Sequence, residues 1–274
     1  MINLNGNIVE DGLKLSVGNR AFKYGDGLFE TMKVIHGKIV FVEDHYFRLM
    51  ASMRMLRMHI SMGLTLEYFE KEILKTVAAN KLTEARVRLS VYRKDGGLYL
   101  PKNNEVGFLI EVHQLVVTIK KDYKIDLFKD YYVNSGLLST LKTNNRILNV
   151  LASIYADENE LDNCILINER KQVVETINAN IFLIKDKKIK TPSLSEGCIK
   201  GVVRKNLIAL VKKEDDLEVE ETEISPFELQ KADEVFITNT IVGIQPVIKY
   251  RKKTFTTEIS TYLSKKLIKI SVLS

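Results

Sequence analysis

Residues 141–146 read Leu-Lys-Thr-Asn-Asn-Arg and join an extended stretch to a segment of helical periodicity. The pattern predicts the start and body of a helix over 141–156. Most lysines are solvated, so an exposed surface position is the first interpretation for Lys142. A lysine at a strand-to-helix junction, among small and amide residues, can instead be partly desolvated. Its pKa then falls and it can act as a Schiff-base nucleophile, so Lys142 is a candidate catalytic residue.

Two segments before residue 60 carry further candidates. The stretch Arg20-Ala-Phe-Lys-Tyr-Gly-Asp-Gly-Leu-Phe-Glu-Thr31 has a Gly-Asp-Gly turn before a strand, which alone indicates only a turn. The stretch His45-Tyr-Phe-Arg48-Leu lies in the first amphipathic helix. Arg48 fits a surface position, but its fork of donors can also clamp a phosphate.

Three later segments extend the set. Glu175 lies in a β-rich stretch. In the segment 197–204, Gly201 stands just before residues of helical pattern. The segment 236–247 is largely apolar and contains Asn239 and Thr240. A glycine that opens a helix presents unpaired backbone N–H groups and the positive end of the helix dipole, which suits a phosphate. A plain helix start is the competing interpretation for Gly201.

The periodicity divides the chain into a small α/β domain over 1–118, a polar linker over 119–130 and a larger domain over 131–274. The first domain has predicted strands at 1–10, 28–35, 85–92 and 106–117, and predicted helices from Glu43 and over 65–80. The second has predicted strands at 164–168, 173–176, 180–184, 234–238 and 244–250, and helices over 201–212 and 257–269.

Composition sets the broad class of the protein. The 274 residues are 45% hydrophobic, and 41 basic against 35 acidic residues give a net charge of +6. The basic residues alternate with acidic ones, so we expect no nucleic-acid partner, although a basic nucleic-acid-binding protein stays a remote alternative. Cys164, Cys198 and four dispersed histidines show no metal-ligand spacing, and we expect no metal. Without a predicted signal peptide or membrane span, the cytoplasm is the expected location.

Taken together, in this order and at these spacings, the segments from about Arg20 to about Val247 resemble the class IV aminotransferase family. These are the fold-type IV enzymes dependent on pyridoxal 5′-phosphate (PLP). The resemblance implies an α/β (α+β) chain of two domains, a small N-terminal α/β domain and a larger C-terminal β-rich pseudo-barrel. It also implies a homodimer and a small amino-acid-like substrate.

The resemblance assigns roles to individual residues. Lys142 matches the Schiff-base lysine, which also carries protons to and from the substrate Cα. Glu175 matches the carboxylate that pairs with the pyridine nitrogen, and Arg48 matches the arginine on the phosphate. The remaining phosphate contacts match backbone or hydroxyl groups of Val202, Val203, Asn239 and Thr240. Weaker candidates for substrate contact are Tyr24, Thr31, Tyr92 and Arg93.

Within the family, the segments 25–31 and 142–146 look more like aminodeoxychorismate lyase and D-amino-acid aminotransferase than like branched-chain aminotransferases. Ile147 stands where branched-chain aminotransferases carry a tyrosine, whereas 238–247 and the Arg93-Lys-Asp-Gly-Gly97 segment look like the lyase. Leu98 replaces an arginine that usually follows those glycines. The sequence therefore predicts a lyase that releases pyruvate and 4-aminobenzoate, as in folate biosynthesis. A D-amino-acid or branched-chain transaminase with a 2-oxo acid acceptor is the alternative, and a non-catalytic PLP-binding protein is a remote one.

Overall fold

The computed structural model describes residues 1–12 and 16–273, within which it contains seven α-helices and three β-sheets. This mixed architecture confirms the predicted α/β fold class. The chain divides into two compact units, Met1–Val116 with Lys142–Asn145, and Val117–Leu141 with Arg146–Leu273. The domain ranges 1–118, 119–130 and 131–274 stay a prediction. No helix within the described residues is both long and apolar enough to cross a membrane.

The first unit is an antiparallel six-stranded sheet with three helices packed on it. Along β5 every second side chain is buried, as expected of a strand with one face on a core. The strand order is β2-β1-β6-β5-β3-β4. The elements are β1 (Ile2–Leu4), β2 (Asn7–Val9), α1 (Arg20–Tyr24), β3 (Gly27–Ile35), β4 (Lys38–Ile39), α2 (Val42–Met55), α3 (Leu66–Ala79), β5 (Ala85–Arg93) and β6 (Val106–Gln114).

The second unit holds two five-stranded mixed sheets. One has the order β16-β15-β7-β8-β9 and the other β12-β11-β10-β13-β14. The strands are β7 (Lys124–Leu127), β8 (Asn163–Ile167), β9 (Val173–Thr176), β10 (Asn180–Lys185), β11 (Lys188–Pro192), β12 (Glu218–Thr222), β13 (Glu234–Asn239), β14 (Gly243–Val247), β15 (Lys249–Tyr250) and β16 (Lys253–Thr254). The helices are α4 (Ile147–Glu158), α5 (Val202–Val211), α6 (Pro226–Lys231) and α7 (Glu258–Leu273).

Period-two alternation builds the core of the second unit. Ile165 in β8 packs in one apolar cluster with Ile181 in β10 and Ile237 in β13, so this cluster fills the space between the two sheets. The alternate residues of β8, Cys164 and Leu166, pack in a separate cluster with α4. Each sheet therefore has one face on the central core and one face covered by helices.

The structure corrects the predicted helix over 141–156. The helix α4 begins at Ile147, and residues 142–144 are extended and pair with β3. The N–H of Phe29 donates to the carbonyl of Lys142 at 2.9 Å, and the N–H of Asn144 donates to the carbonyl of Gly27 at 3.0 Å. The polar residues 142–146 carry no apolar periodicity, so the sequence could not locate the start of the helix. Within 119–130, the structure has strand β7.

Gly27 permits this close pairing. A Cβ at position 27 would lie 2.6 Å from Nδ2 of Asn144 and 3.0 Å from the backbone oxygen of Val91. Both distances are shorter than ordinary van der Waals contact, and the backbone oxygen belongs to a strand that cannot move alone. The glycine is therefore required by the side chain of Asn144 and the backbone of Val91 in β5 together.

We predict that Gly27→Ala lowers the free energy of unfolding by about 1–3 kcal/mol, the usual cost of overpacking. Urea denaturation of the purified protein measures the change. Gly63→Ala is the matched control in the same unit, because nothing lies within 4 Å of its added Cβ. We expect the control to stay within about 0.5 kcal/mol of the wild type. Equal stability of the two variants would contradict the close approach.

Candidate active site

Lys142 is anchored by its backbone to the edge of β3. The pairing described above holds the carbonyl of Lys142 and the N–H of Asn144, and Nζ of Lys142 lies 4.4 Å from the centroid of the Phe29 ring. The side chain is partly buried. A cation over an aromatic face is held by electrostatic attraction. The amine of Lys142 is therefore placed over one face of the sheet.

Two of the weak substrate candidates share this face. Side chains two residues apart on a strand, or directly opposite in an antiparallel pair, point to the same side. Thr31 follows Phe29 by two residues, and Tyr92 lies opposite Gly27 in the register of β3 and β5. Both are partly buried. Burial raises the pKa of Tyr92, which keeps its hydroxyl protonated.

Arg88 is a further residue on this face that the sequence reasoning missed. It lies opposite Thr31, and its guanidinium carbon is 3.8 Å from the centroid of the Phe29 ring. Phe29 thus contacts two cationic groups, those of Arg88 and Lys142. The alternation of β5, in which Val87 and Leu89 are buried, could have placed Arg88 on the side away from the core.

The Gly-Asp-Gly turn has a structural function. The carboxylate of Asp26 accepts from Nε of Arg20 at 2.8 Å and from Nε of Arg93 at 3.0 Å. Arg93 is only 6% exposed and also donates to the side chain of Asn104 and to the carbonyl of Leu56. Arg93, a weak candidate for substrate contact, is therefore engaged in holding loops of the first unit together.

Tyr24 lies at the end of α1 and is partly buried. Its ring centroid is 5.5 Å from that of Tyr99, and the guanidinium carbon of Arg20 lies 5.0 Å from it. Tyr99 and its neighbours Leu98 and Leu100 are 75–88% exposed. Tyr24 thus packs against Tyr99, in the exposed segment 98–100.

Arg48 belongs to a buried ionic cluster. Its Nε donates to Oε1 of Glu30 at 2.7 Å, and its Nη2 also contacts that carboxylate. The same carboxylate faces Nδ1 of His45 at 2.7 Å. His45 and Arg48 are three residues apart in α2, so both project from one side of the helix toward β3. The guanidinium is 11% exposed and has a fixed orientation.

Glu175 occupies β9 in the second unit and is 7% exposed. Its Oε2 accepts a hydrogen bond from the backbone N–H of Ile199 at 2.9 Å. Burial, with the nearby carboxylate of Glu175, raises the pKa of Cys198 to about 12, so this cysteine stays a neutral thiol. Glu175 is thus a buried carboxylate held by a main-chain N–H, and its pairing with a pyridine nitrogen stays a prediction.

The start of α5 lies close to β10. Nδ2 of Asn180 donates to the carbonyl of Ile199 at 2.9 Å, and its Oδ1 would lie 2.0 Å from a Cβ at position 201. Only glycine fits there, so the N-cap of α5 has no side chain with which to cap the helix. The backbone N–H groups of the first turn, which includes Val202 and Val203, have no acceptor within the helix. They form a site of positive potential for an anion.

Asn239 ends β13, and Thr240 lies in the turn between β13 and β14. The side-chain oxygen of Asn239 accepts from the N–H groups of Ile241 at 3.0 Å and Val242 at 2.9 Å, so it shapes the turn. Thr240 is partly buried. Thr238 lies opposite Asn180 on the sheet, and within the described part of the chain its buried hydroxyl has no hydrogen-bond partner. A polar group of this kind suits a site that binds a polar ligand.

The structure therefore groups the candidates within each unit. Lys142, Thr31 and Tyr92 share one face of the first sheet, while Arg48 belongs to the ionic cluster with Glu30. In the second unit, the carboxylate of Glu175 and the side chain of Asn180 both bond to the backbone of Ile199, three residues before the start of α5. Arg93 and Asn239 instead use their side chains to hold loops.

Comparison with known proteins finds relatives that all belong to one family of enzymes. The family model for amino-transferase class IV matches residues 27–250. A putative branched-chain-amino-acid aminotransferase of Methanocaldococcus jannaschii is 31% identical over 90% of this chain and 87% of its own length. An aminodeoxychorismate lyase of Vibrio harveyi is 28% identical over 84% of this chain and 85% of its own. The crystal structure of 4-amino-4-deoxychorismate lyase from Pseudomonas aeruginosa superposes with a TM-score of 0.88 and 25% identity, covering 98% of each chain.

The match to the family model covers most of the chain, and the relatives align over nearly their whole length. The chain belongs to the class IV aminotransferase family of PLP-dependent enzymes.

Proposed function

We propose that this protein is a 4-amino-4-deoxychorismate lyase that binds PLP covalently at Lys142 and releases pyruvate and 4-aminobenzoate. The observation that carries the covalent link is the backbone anchoring of Lys142 on β3, with its amine partly buried over the Phe29 ring. In a covalent link of this kind, the deprotonated amine of the lysine is the nucleophile. When bound, PLP supplies an electron sink for the carbanion formed at the substrate Cα.

The other predicted cofactor residues fit the remaining groups of PLP. The buried carboxylate of Glu175 suits the protonated pyridine nitrogen, and a main-chain N–H fixes its orientation. The uncapped first turn of α5, with Val202 and Val203, suits the phosphate. Arg48 supplies a charged fork and Thr240 a hydroxyl for the same group. The buried hydroxyl of Thr238, which has no hydrogen-bond partner among residues 1–12 and 16–273, supports a polar ligand near the start of α5.

Lys142 also moves the protons of the reaction in this proposal. When PLP and substrate are bound, Nζ of Lys142 would act as the general base that removes the proton from the substrate Cα. In the lyase, the C–O bond to the enolpyruvyl group then breaks, and a proton returns to the leaving group as pyruvate forms. On the same face, the guanidinium of Arg88 is a candidate to bind the substrate carboxylate.

The choice of a lyase rests on the segment 238–247 and on the relatives of the whole chain. The turn in this segment is built by the side chain of Asn239, and the segment resembles the lyase pattern. An aminodeoxychorismate lyase is among the relatives, and another is among the similar structures. These observations support lyase activity on a cyclic amino acid.

An amino-acid transaminase is the second candidate, and a specific observation favours it. The guanidinium of Arg93 is engaged with Asp26 and backbone groups, and Leu98 stands where a further arginine usually follows. The segment 98–100 is apolar and exposed. Fewer cationic groups suit a substrate with one carboxylate, such as a branched-chain amino acid or a D-amino acid.

Reduction with borohydride tests the covalent link. We predict that the PLP-loaded wild type, once reduced and digested, carries the cofactor mass on the peptide that contains Lys142. Lys142→Ala is expected to lose the visible absorbance of the protein–cofactor adduct, whereas the exposed control Lys129→Ala keeps it. Cofactor mass on a different lysine would refute the assignment of Lys142.

Product analysis separates the two reactions. We predict that the enzyme forms pyruvate from aminodeoxychorismate without any 2-oxo acid, because elimination needs no acceptor. Lys142→Ala is expected to lose this activity by about 10³-fold or more, since it removes both the covalent link and the base. Turnover of amino acids that depends on added 2-oxoglutarate, with no pyruvate from aminodeoxychorismate, would favour the transaminase.

We further propose that two copies of the chain associate through α4. Ile147, Val150 and Ile154 are 50–65% exposed and share one side of this helix by their spacing of three and four residues. Tyr131 is also exposed, and its ring packs on Phe128 beneath the same helix. Contiguous exposed apolar surface of this kind marks an interface, and a second copy presents the same surface.

We predict that Ile154→Glu shifts the molecular mass in light scattering from that of two chains to that of one. Ile268→Glu is the matched control, because Ile268 is 59% exposed on α7, outside the proposed interface. The control is expected to keep the mass of two chains. A wild type with the mass of one chain at micromolar concentration would exclude this dimer.

A further inference from the structure

The ionic cluster of Glu30, His45 and Arg48 goes beyond what phosphate binding by Arg48 alone requires. The carboxylate of Glu30 is 2% exposed, and the ring of His45 is completely buried. Burying an ion pair costs desolvation energy that its attraction barely offsets. Apolar side chains of similar size would fill the same space, so stability alone does not explain the cluster.

The charge states within the cluster follow from its surroundings. Burial opposes ionisation of Glu30, but the charge of Arg48 and the hydrogen bond from His45 outweigh it and lower the pKa of the carboxyl group to about 2. Burial lowers the pKa of His45, so its ring is neutral. Nδ1 of His45 therefore donates its proton to Glu30, and among the described residues no group bonds to its Nε2. The cluster pairs one anion with one cation.

The contacts restrict how Arg48 can move. A free arginine side chain has several rotatable bonds and loses about 2 kcal/mol of conformational entropy when it is ordered. Glu30 binds two different nitrogens of the guanidinium, Nε and Nη2, which fixes both the position and the plane of the group. His45 in turn holds the carboxylate. The ordering of Arg48 thus occurs when the protein folds, before any ligand binds.

We propose that Glu30, held by His45, is a positioning residue that orients Arg48 for the cofactor phosphate. This inference rests on the proposed function of Arg48. A preordered guanidinium loses less entropy on binding, which raises the affinity for the phosphate. Glu30 could instead only weaken the positive charge of Arg48. In that case the carboxylate would lower the affinity for the phosphate, and removing its charge would make the phosphate bind more tightly.

The two effects predict opposite results for Glu30→Gln. We expect the dissociation constant of PLP to increase at least about tenfold, equivalent to about 1.4 kcal/mol. Fluorescence titration of the apoprotein measures it. Glu105→Gln is the matched control, because Glu105 pairs with His59 at 2.7 Å in the same unit but both side chains are half exposed. The control is expected to bind PLP like the wild type.

Pyridoxal, which lacks the phosphate, distinguishes positioning from a general loss of structure. We expect Glu30→Gln to leave the affinity for pyridoxal unchanged, because the effect acts only through the phosphate. In the background of Arg48→Ala, adding Glu30→Gln should change the PLP affinity by less than about twofold. His45→Asn keeps a donor near the position of Nδ1, so we expect it to weaken PLP binding less than Glu30→Gln does. It replaces Glu30→Gln as the test variant if that variant does not fold.

Three outcomes would overturn the proposal. They are unchanged or tighter binding of PLP by Glu30→Gln, equal weakening for PLP and pyridoxal, and a full effect of Glu30→Gln in the absence of Arg48. Each of these leaves PLP binding by the wild type intact, so the proposed function survives. Failure of the wild type to bind PLP, or unchanged affinity in Arg48→Ala, would instead contradict the proposed function itself.

Discussion

Two main-chain hydrogen bonds, between residues 142–144 and the first residues of β3, are the constraint on which the rest of the candidate site depends. They tie a segment that lies far along the chain to the sheet of the first unit, and they delay the start of α4 to Ile147. Since the backbone of Lys142 is fixed in this way, only its side-chain torsions decide where the amine goes. The absence of a side chain at Gly27 makes the pairing sterically possible.

The sequence predicted much of the regular structure, although the single strand predicted over 1–10 is two paired strands, β1 and β2. The predicted helix over 65–80 is found as α3, with Thr65 and Asn80 as its caps, and β3 and β5 lie within a residue of their predicted ranges. Periodicity works at these places because each element buries one face. It failed at 141–146, where polar residues carry no pattern and a long-range pairing decides the conformation.

The candidate site was predictable as a set of residue types, through the resemblance to the family, but not as a set of contacts. No local pattern indicates that Glu30 binds Arg48, because the two residues lie in different elements and meet only when α2 packs on β3. Arg93 and Asn239 show the reverse case. Their side chains hold loops in the structure, while their contacts with substrate and phosphate stay predictions.

The hydrogen bond from Ile199 to Glu175 has a consequence for how such a sequence can drift over evolutionary time. Because the donor is a main-chain N–H, nearly any amino acid at position 199 supplies it, and proline alone lacks the group. The orientation of the carboxylate is thus insulated from most substitutions at its own partner. Selection at position 199 acts on the packing of the side chain, so residue identity there is a poor guide to whether the carboxylate is correctly held.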